Sequence, residues 1–94
     1  MPVEPDDLSI VAEADRWVEI TDSTGAQIFY NLLKQDAESE LRGVAPFDVF
    51  LGNAPGIEIR VNSSDVDFSG FVRANNVARF RISIRDNEPV SQRR

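Results

Sequence analysis

Apolar and polar residues alternate along most of the chain, and this alternation predicts a series of short β-strands. The clearest example lies near the C-terminus, where Ala78, Phe80, Ile82 and Ile84 alternate with polar or charged residues. Successive side chains of a strand point to opposite faces of a sheet, so this spacing assigns the apolar set to a core. Similar alternation occurs at residues 8–14, 17–21, 38–42, 47–51, 57–61 and 65–68.

Residues 46–62 contain the stretch around which the rest of the chain is organised. Apolar residues occupy every second position of 47–51 and again of 57–61. The intervening segment, Gly52-Asn-Ala-Pro-Gly56, contains residue types that tolerate positive φ or fix a bend. The pattern predicts that the two runs pair as a hairpin to which the other strands add.

Two further segments differ from simple alternation. Residues 26–34 are apolar on both faces, which predicts a strand covered on both sides or one that bends between two sheets. Residues 38–42 alternate weakly and carry charges, which is typical of an edge strand. Turns are predicted at Asp22–Gly25 and at Asn62–Asp65, and residues 69–77 are predicted to form a loop.

The pattern as a whole predicts an all-β fold. Seven to eight short strands with turn residues between them, and no helical periodicity, indicate a small antiparallel β-sandwich or a partly open barrel. The 94 residues are enough for one domain. Residues 1–7 are interpreted as the end of a linker, 8–85 as the β-domain and 86–94 as a disordered C-terminal tail.

Composition argues against most catalytic and nucleic-acid-binding functions. The chain has no cysteine and no histidine, so it lacks a thiolate nucleophile and the usual general base and metal ligand. Its net charge is −6, which disfavours binding to nucleic acid. The charge is uneven, since residues 1–40 carry −8 and residues 41–94 carry +2.

No membrane span or export signal is predicted within these residues. A span needs roughly 18–20 consecutive apolar residues, and no run approaches that length. The first seven residues are acidic and lack the basic start and apolar centre of a signal peptide.

Carboxylate-rich segments suggest calcium binding or hydrolysis only weakly. Asp65, Asp67 and Ser69 precede Gly70 as in a calcium loop, but Asn76 stands where the bidentate glutamate belongs. Paired carboxylates such as those at 38 and 40 could act in glycosidase chemistry. They fall on the solvent side of predicted strands, so neither an enzyme activity nor a cofactor is predicted.

Trp17 is the most informative single residue for binding. The alternation of residues 17–21 places it on the face opposite Val18 and Ile20. It could be exposed as an interaction anchor, or it could pack beneath a loop or the N-terminal linker.

An ordered set of short segments resembles the C-terminal domain family of the bacterial cell-shape protein RodZ. The segments are Trp17-Val-Glu-Ile-Thr-Asp22 with Gly25, Leu32-Leu-Lys34, Gly43 to Phe47, Val49-Phe-Leu-Gly-Asn-Ala-Pro55, Ile57-Glu-Ile-Arg-Val-Asn62, Val66-Asp67 and Asn76-Val-Ala-Arg-Phe80. The resemblance extends over about residues 8–84.

The resemblance implies a single-pass inner-membrane protein whose β-domain lies in the periplasm. In such proteins a cytoplasmic helix-turn-helix domain binds the actin-like filament protein MreB, and a transmembrane helix and linker follow. These parts are absent from the present residues. The resemblance implies no catalytic residues and no cofactor, and it suggests partners among the periplasmic or membrane proteins of wall elongation.

Two functions are therefore considered. The first is a non-catalytic interaction domain that helps couple MreB to cell-wall elongation and so maintains rod shape. The alternative is a small peptidoglycan- or glycan-binding module that uses Trp17 or Tyr30 for stacking, beside Asn53 and Asn62.

Overall fold

A computed structural model describes residues 5–93, and in that part of the chain all regular structure is β apart from one short 3-10 helix at Ser69–Phe71. The strands are β1 (Asp6–Ala12), β2 (Arg16–Thr21), β3 (Gln27–Leu33), β4 (Glu38–Gly43), β5 (Phe47–Leu51), β6 (Ile57–Val61), β7 (Ser64–Asp65), β8 (Ala78–Arg85) and β9 (Glu88–Gln92). The all-β prediction is confirmed. None of the described residues lies in a helix long and apolar enough to span a membrane.

The strands form two antiparallel sheets that do not close into a barrel. One sheet has the order β4-β1-β6-β7, and the other has the order β3-β2-β5-β8-β9. Of the two predicted architectures, the structure therefore has the sandwich. Residues 5–93 form nine strands, one more than the predicted upper limit of eight, because the sequence pattern did not predict β9 as a strand.

The core lies between the two sheets and contains the apolar positions identified from alternation. In β1 the buried residues are Leu8, Ile10 and Ala12, and in β8 they are Ala78, Phe80 and Ile82. Burying a large apolar side chain contributes about 1.5–3 kcal/mol, so this shared layer is the main force holding the sheets together.

The predicted hairpin between residues 47–51 and 57–61 is wrong. β5 pairs with β2 and β8, whereas β6 pairs with β1 and β7 in the other sheet. The connecting segment crosses between the sheets, and its central residue, Ala54, is only 1% exposed. Alternation fixed the buried face of each strand correctly, but it does not specify a strand's partner.

Residues 26–34 were predicted to form a strand covered on both sides or one that bends between two sheets, and both alternatives are wrong. β3 is an edge strand of the five-stranded sheet, paired with β2 alone. Leu33 is buried, whereas Tyr30 and Leu32 are exposed on the outer face. The predicted edge strand at residues 38–42 is confirmed as β4, which lies at an edge of the other sheet.

Both predicted termini of the domain need correction. Asp6 and Asp7, assigned to the linker, belong to β1, where the Asp7 N–H donates to Asn62 Oδ1 at 3.0 Å. Residues 88–92, assigned to a disordered tail, form β9 and pair with β8. Asp86 and Asn87 adopt positive φ values of 53° and 67°, which make the tight turn that this hairpin requires. Residues 1–4 and 94 lie outside the described part.

The segment after β6 also differs from the prediction. The turn consists of Asn62 and Ser63, both with positive φ, and the short strand is Ser64–Asp65 rather than residues 65–68. Val66 is buried, and the Phe68 ring stacks on Phe80 with centroids 5.1 Å apart. The apolar residues of this segment therefore close one end of the core without forming a strand.

Candidate interaction surface

The outer face of the five-stranded sheet carries an exposed apolar patch. Among the described residues, the exposed large hydrophobic side chains are Trp17 (37% exposed), Tyr30 (55%) and Leu32 (38%). The register pairs Trp17 with Leu32 and Glu19 with Tyr30, so all of these side chains share one face. Large apolar groups grouped together on a surface are typical of interaction sites.

Specific contacts hold Trp17 in place while leaving much of it exposed. Its ring meets Tyr30 edge to face, with centroids 5.2 Å apart and an interplanar angle of 85°. The indole N–H donates to Glu19 Oε2 at 2.8 Å. Gly52 lies alongside, where an added Cβ would come within 3.3 Å of the Trp17 Cβ. The indole is thus oriented before any partner binds, which lowers the entropic cost of binding.

The patch continues across the sheet through Phe50 of β5 and Arg79 of β8. The register aligns Tyr30, Glu19, Phe50 and Arg79 in one row across four strands. The Arg79 guanidinium lies over the Phe50 ring, 4.7 Å from its centroid. We call the side chains of Trp17, Tyr30, Leu32 and Phe50 the aromatic face.

A charged pair borders the aromatic face. Arg81 Nε donates to Asp48 Oδ1 at 2.9 Å in the row next to Phe50. This hydrogen bond, with the charge of Asp48, raises the pKa of the Arg81 guanidinium. The pair therefore forms a charged border to the aromatic face, two residues along the strands from Phe50 and Arg79.

Of the four residues considered from sequence for binding, the structure places Trp17, Tyr30 and Asn53 near one another and Asn62 elsewhere. Trp17 is on the aromatic face, and Asn53 is exposed directly after Gly52, whose N–H donates to the Trp17 carbonyl. Asn62 follows β6 in the other sheet, where it bonds to Asp6 and Asp7. Asp6 and Asp7 are the first residues of β1, so Asn62 lies beside the start of that strand. Trp17 follows the other end of β1, near the start of β2. Asn62 is therefore about one strand length from Trp17 and cannot share a glycan site with it.

Sequence reasoning did not assign Leu32 and Phe50 to an interaction surface, nor Arg79 beside them. Leu32 belongs to a run that is apolar on both faces, which predicts a strand covered on both sides or one that bends between two sheets. Phe50 and Arg79 occupy outward positions of strands whose alternation was recognised, but only the register shows that they adjoin. The sequence signal that could have revealed this surface is Phe50, because it is an aromatic residue at an outward position where the alternation of residues 47–51 predicts a polar one.

The carboxylates of the calcium-loop-like segment, Asp65 and Asp67, form hydrogen bonds within the protein. Asp65 accepts from Arg60 Nε at 2.8 Å, and Asp67 accepts from the backbone N–H and hydroxyl of Ser69. The Ser69 hydrogen bonds lower the pKa of Asp67. Within residues 5–93, no three or more histidine, cysteine or acidic side chains are grouped so as to hold a metal ion.

The surface of the described residues has several open depressions. One, of about 530 Å³, is on the outer face of the four-stranded sheet and has mixed charge, with Glu38, Glu40, Arg42 and Arg60 in its wall. Another, of about 520 Å³, is lined by Phe71, Arg73 and Arg93, and by Arg79, which lies over Phe50. Neither contains the convergent polar groups in an apolar pocket that characterise a small-molecule site.

Comparison with known proteins agrees with the resemblance found in the sequence. The family model of the RodZ C-terminal domain matches residues 9–81, which cover most of the chain and eight of the nine strands in whole or in part. No solved structure matches the chain. The chain belongs to the RodZ C-terminal domain family.

Proposed function

We propose that this chain is a non-catalytic interaction domain of a RodZ-like membrane protein, located on the periplasmic side, which helps couple MreB filaments to cell-wall elongation. The family match over residues 9–81 carries this proposal and supports a role in a cell-shape protein. Its partners would be periplasmic or membrane proteins of the elongation machinery.

The surface of the domain is suited to such a role. The aromatic face combines exposed tryptophan and tyrosine, residue types that often dominate the energy of protein interfaces. Glu19 and Arg79 supply polar groups within and beside it. A pre-oriented aromatic centre with a polar border is the usual anatomy of a protein-binding patch.

A genetic test in a rod-shaped bacterium would examine the proposal. The gene for the full protein is replaced by versions that lack this domain or carry Trp17→Ala with Tyr30→Ala. We expect wider, rounder cells and loss of in-cell crosslinks from position 30 to elongation proteins. Val11→Ala, on the outer face of the other sheet, is the control. Normal shape and unchanged crosslinks after deletion of the domain would exclude the proposal.

The exposed Trp17–Tyr30 pair also favours a second candidate, binding to peptidoglycan fragments. Sugar rings stack on aromatic side chains, and Asn53 could donate hydrogen bonds beside them. Soluble muropeptides added to the isotope-labelled domain should then shift the Trp17 indole and Asn53 amide resonances. Unchanged spectra at millimolar ligand would exclude this candidate without affecting the first.

A further inference from the structure

One depression of the surface, of about 520 Å³, has a strongly basic wall. Among the described residues, its lining includes no acidic side chain, and it includes three exposed arginines, Arg73, Arg79 and Arg93. These three guanidinium groups form no salt bridge within residues 5–93, whereas Arg81, two residues along β8, pairs with Asp48. A concave surface with uncompensated charge of one sign attracts ligands of the opposite sign. We call this concavity the arginine depression.

Backbone pairing beside β8 brings the three arginines together. The segment after the 3-10 helix returns alongside the start of β8, where the Arg73 N–H donates to the Val77 carbonyl at 2.9 Å. β9 pairs with the later part of β8, and its last residue, Gln92, lies opposite Arg81. Arg93 therefore lies at the junction between β9 and the segment that contains Arg73. The charges of both segments thus meet along one side of β8.

The arginine depression adjoins the aromatic face. Arg79 belongs to both regions, since it lines the depression and its guanidinium lies over the Phe50 ring, 4.7 Å from the centroid. The registers of β2, β5 and β8 align Glu19, Phe50 and Arg79 across three neighbouring strands of the same sheet. A ligand held at the depression can therefore also contact apolar side chains.

Trp17 and Arg73 lie at the two ends of a second row across the same sheet. The Gly52 N–H donates to the Trp17 carbonyl, and continuing the β5–β8 register by one residue places Val77 beside Gly52. The Arg73 N–H bonds to Val77 on the other side. Neighbouring strands are about 4.8 Å apart, so these three spacings separate Trp17 from Arg73 by about 14 Å. Gly52 has no side chain to obstruct a ligand that lies along this row.

The groups at the two ends of this row define the chemistry of a ligand. Guanidinium groups bind carboxylates through paired, charge-assisted hydrogen bonds. At the other end, an apolar side chain placed on Trp17 would bury surface that is now in water. An extended peptide advances about 3.3 Å per residue, so about four residues span the row. A fitting segment therefore carries carboxylates about four positions from an apolar residue.

Other anions fit this surface less well. The chain has a net charge of −6, and Glu19 lies only two strands from Arg79 on the same face. An anionic bilayer or a polyphosphate extends beyond the depression and would meet these negative charges. A free inorganic anion would leave the neighbouring apolar side chains in water. A short acidic segment of a protein satisfies the arginines and covers the apolar side chains without that repulsion.

We infer that the arginine depression and the adjoining aromatic face bind one acidic segment of a partner protein, with its carboxylates at the three arginines and an apolar side chain on Trp17. The inference rests on the proposed function, because it names the site and the partner chemistry that the interaction domain would use. Removing the positive charges should weaken this binding and leave the domain folded, because the arginines are exposed and form no salt bridge within residues 5–93.

Binding can be measured with the 94-residue chain and capped undecapeptides of glycine and serine that carry the inferred groups. The first peptide has leucine at its centre and two aspartates at each end, so it presents the required spacing in either chain direction. The second replaces the aspartates by asparagine, the third replaces the leucine by serine, and the fourth moves the aspartates next to the leucine. Titrations at low ionic strength follow the Trp17 fluorescence and the amide resonances of residues 71–79. We expect the first peptide to shift both sets of signals at millimolar concentration and the other three to bind more weakly.

Variants of the domain test the charges. Arg73→Gln, Arg79→Gln and Arg93→Gln should each weaken binding of the first peptide about two- to fivefold, the range expected for an exposed ion pair. Arg85→Gln is the matched control, because it removes the same charge from the same strand, six residues from Arg79, and should change binding little. Added salt should weaken binding of the first peptide to the unaltered domain. Thermal unfolding checks that each variant is folded.

Two further probes separate the sources of the anionic group. Inorganic phosphate should leave the Trp17 fluorescence unchanged, because it has no apolar part to place on the indole. Vesicles of phosphatidylglycerol and phosphatidylcholine should not sediment with the domain. Sedimentation with these vesicles, or a phosphate response equal to that of the first peptide, would overturn the inference of a protein segment.

The remaining results also decide the inference. Weaker binding of the asparagine, serine and respaced peptides, together with weaker binding by the arginine variants, supports it. No binding of the first peptide, equal binding of any of the other three, or an equal effect of Arg85→Gln would overturn it. In the cell-shape test, normal shape with all three arginines replaced, but round cells without the domain, would reject the arginine depression and leave the proposed function standing.

Discussion

At the scale of single residues, Asp22 shows how one buried carboxylate links distant segments. It is the buried polar residue of the described chain, 9% exposed. Its Oδ1 accepts from the N–H and hydroxyl of Thr24 at 3.0 and 2.6 Å, and its Oδ2 accepts from the Val44 N–H at 3.1 Å. Gly43 makes room, since a Cβ there would lie 3.1 Å from Asp22 Oδ2.

Only part of this arrangement could be predicted from sequence. The turn at Asp22–Gly25 was predicted from its residue types and is confirmed, with the Gly25 N–H donating to the Asp22 carbonyl at 3.0 Å. The bond to Val44 joins residues 22 positions apart. No local pattern encodes a contact of that range, because it depends on how the strands between are arranged.

Asp22→Asn should destabilise the domain at neutral pH. The Thr24 hydroxyl and the Val44 N–H lower the pKa of Asp22 below its ordinary value of 3.8. Because the pKa is lower in the folded than in the unfolded protein, the ionised carboxylate stabilises the fold at pH values above the ordinary pKa of 3.8. This stabilisation is lost as the pH falls from there through the lowered pKa of the folded state. An asparagine would also turn an N–H donor toward the Val44 N–H.

Urea unfolding of wild type and Asp22→Asn at neutral and acid pH would measure this effect. The difference in unfolding free energy should be largest at pH 7 and should shrink as the pH falls below the ordinary value of 3.8. Asp86→Asn, in the exposed turn before β9, removes the same charge and serves as control. A difference for Asp22→Asn that is independent of pH would contradict the role assigned to its ionised form.

At the scale of elements, the connection between β5 and β6 explains why a hairpin was predicted and a sheet crossing was found. Its glycines, asparagine and proline are compatible with both. The outcome is set by contacts beyond the segment: the Ala54 N–H donates to the Asn76 carbonyl at 2.7 Å, and the Glu13 N–H donates to the Gly56 carbonyl at 3.0 Å. The segment is thereby attached to the loops before β2 and before β8.

Gly56→Ala should destabilise this crossing by about 1–2 kcal/mol, because Gly56 has a φ of +83°, a conformation that side chains with a Cβ rarely adopt. An added Cβ would also lie 2.4 Å from Glu13 Cγ, so the Glu13 side chain would have to move. Chemical denaturation would measure the loss. Gly70→Ala is the matched control, since nothing lies within 4 Å of a Cβ there and it should change stability little. Equal effects of the two would show that the crossing does not depend on Gly56.

At the scale of the whole molecule, properties of single strands could be predicted from the sequence, whereas properties of pairs of strands could not. Alternation predicted the core faces of β5, β6 and β8, because burial of one face is a property of each strand alone. It also placed Trp17 on the outer face. Strand order and register are properties of pairs of strands, so the aromatic face and the exposed β3 edge became visible only in the folded arrangement.

The two sheets share one core, so they should unfold together. Ile59 of the four-stranded sheet is 2% exposed, and Ile59→Val should lower the unfolding free energy by about 0.5–1.5 kcal/mol. Trp17, on the far face of the other sheet, reports on that sheet by fluorescence, while circular dichroism reports on all strands. Both signals should shift to the same lower midpoint, because neither sheet can keep its inner face buried alone.

The control is Ser9→Ala, on the outer face of the same sheet as Ile59, which should shift neither midpoint appreciably. A Trp17 midpoint unchanged by Ile59→Val would mean that the five-stranded sheet is stable by itself.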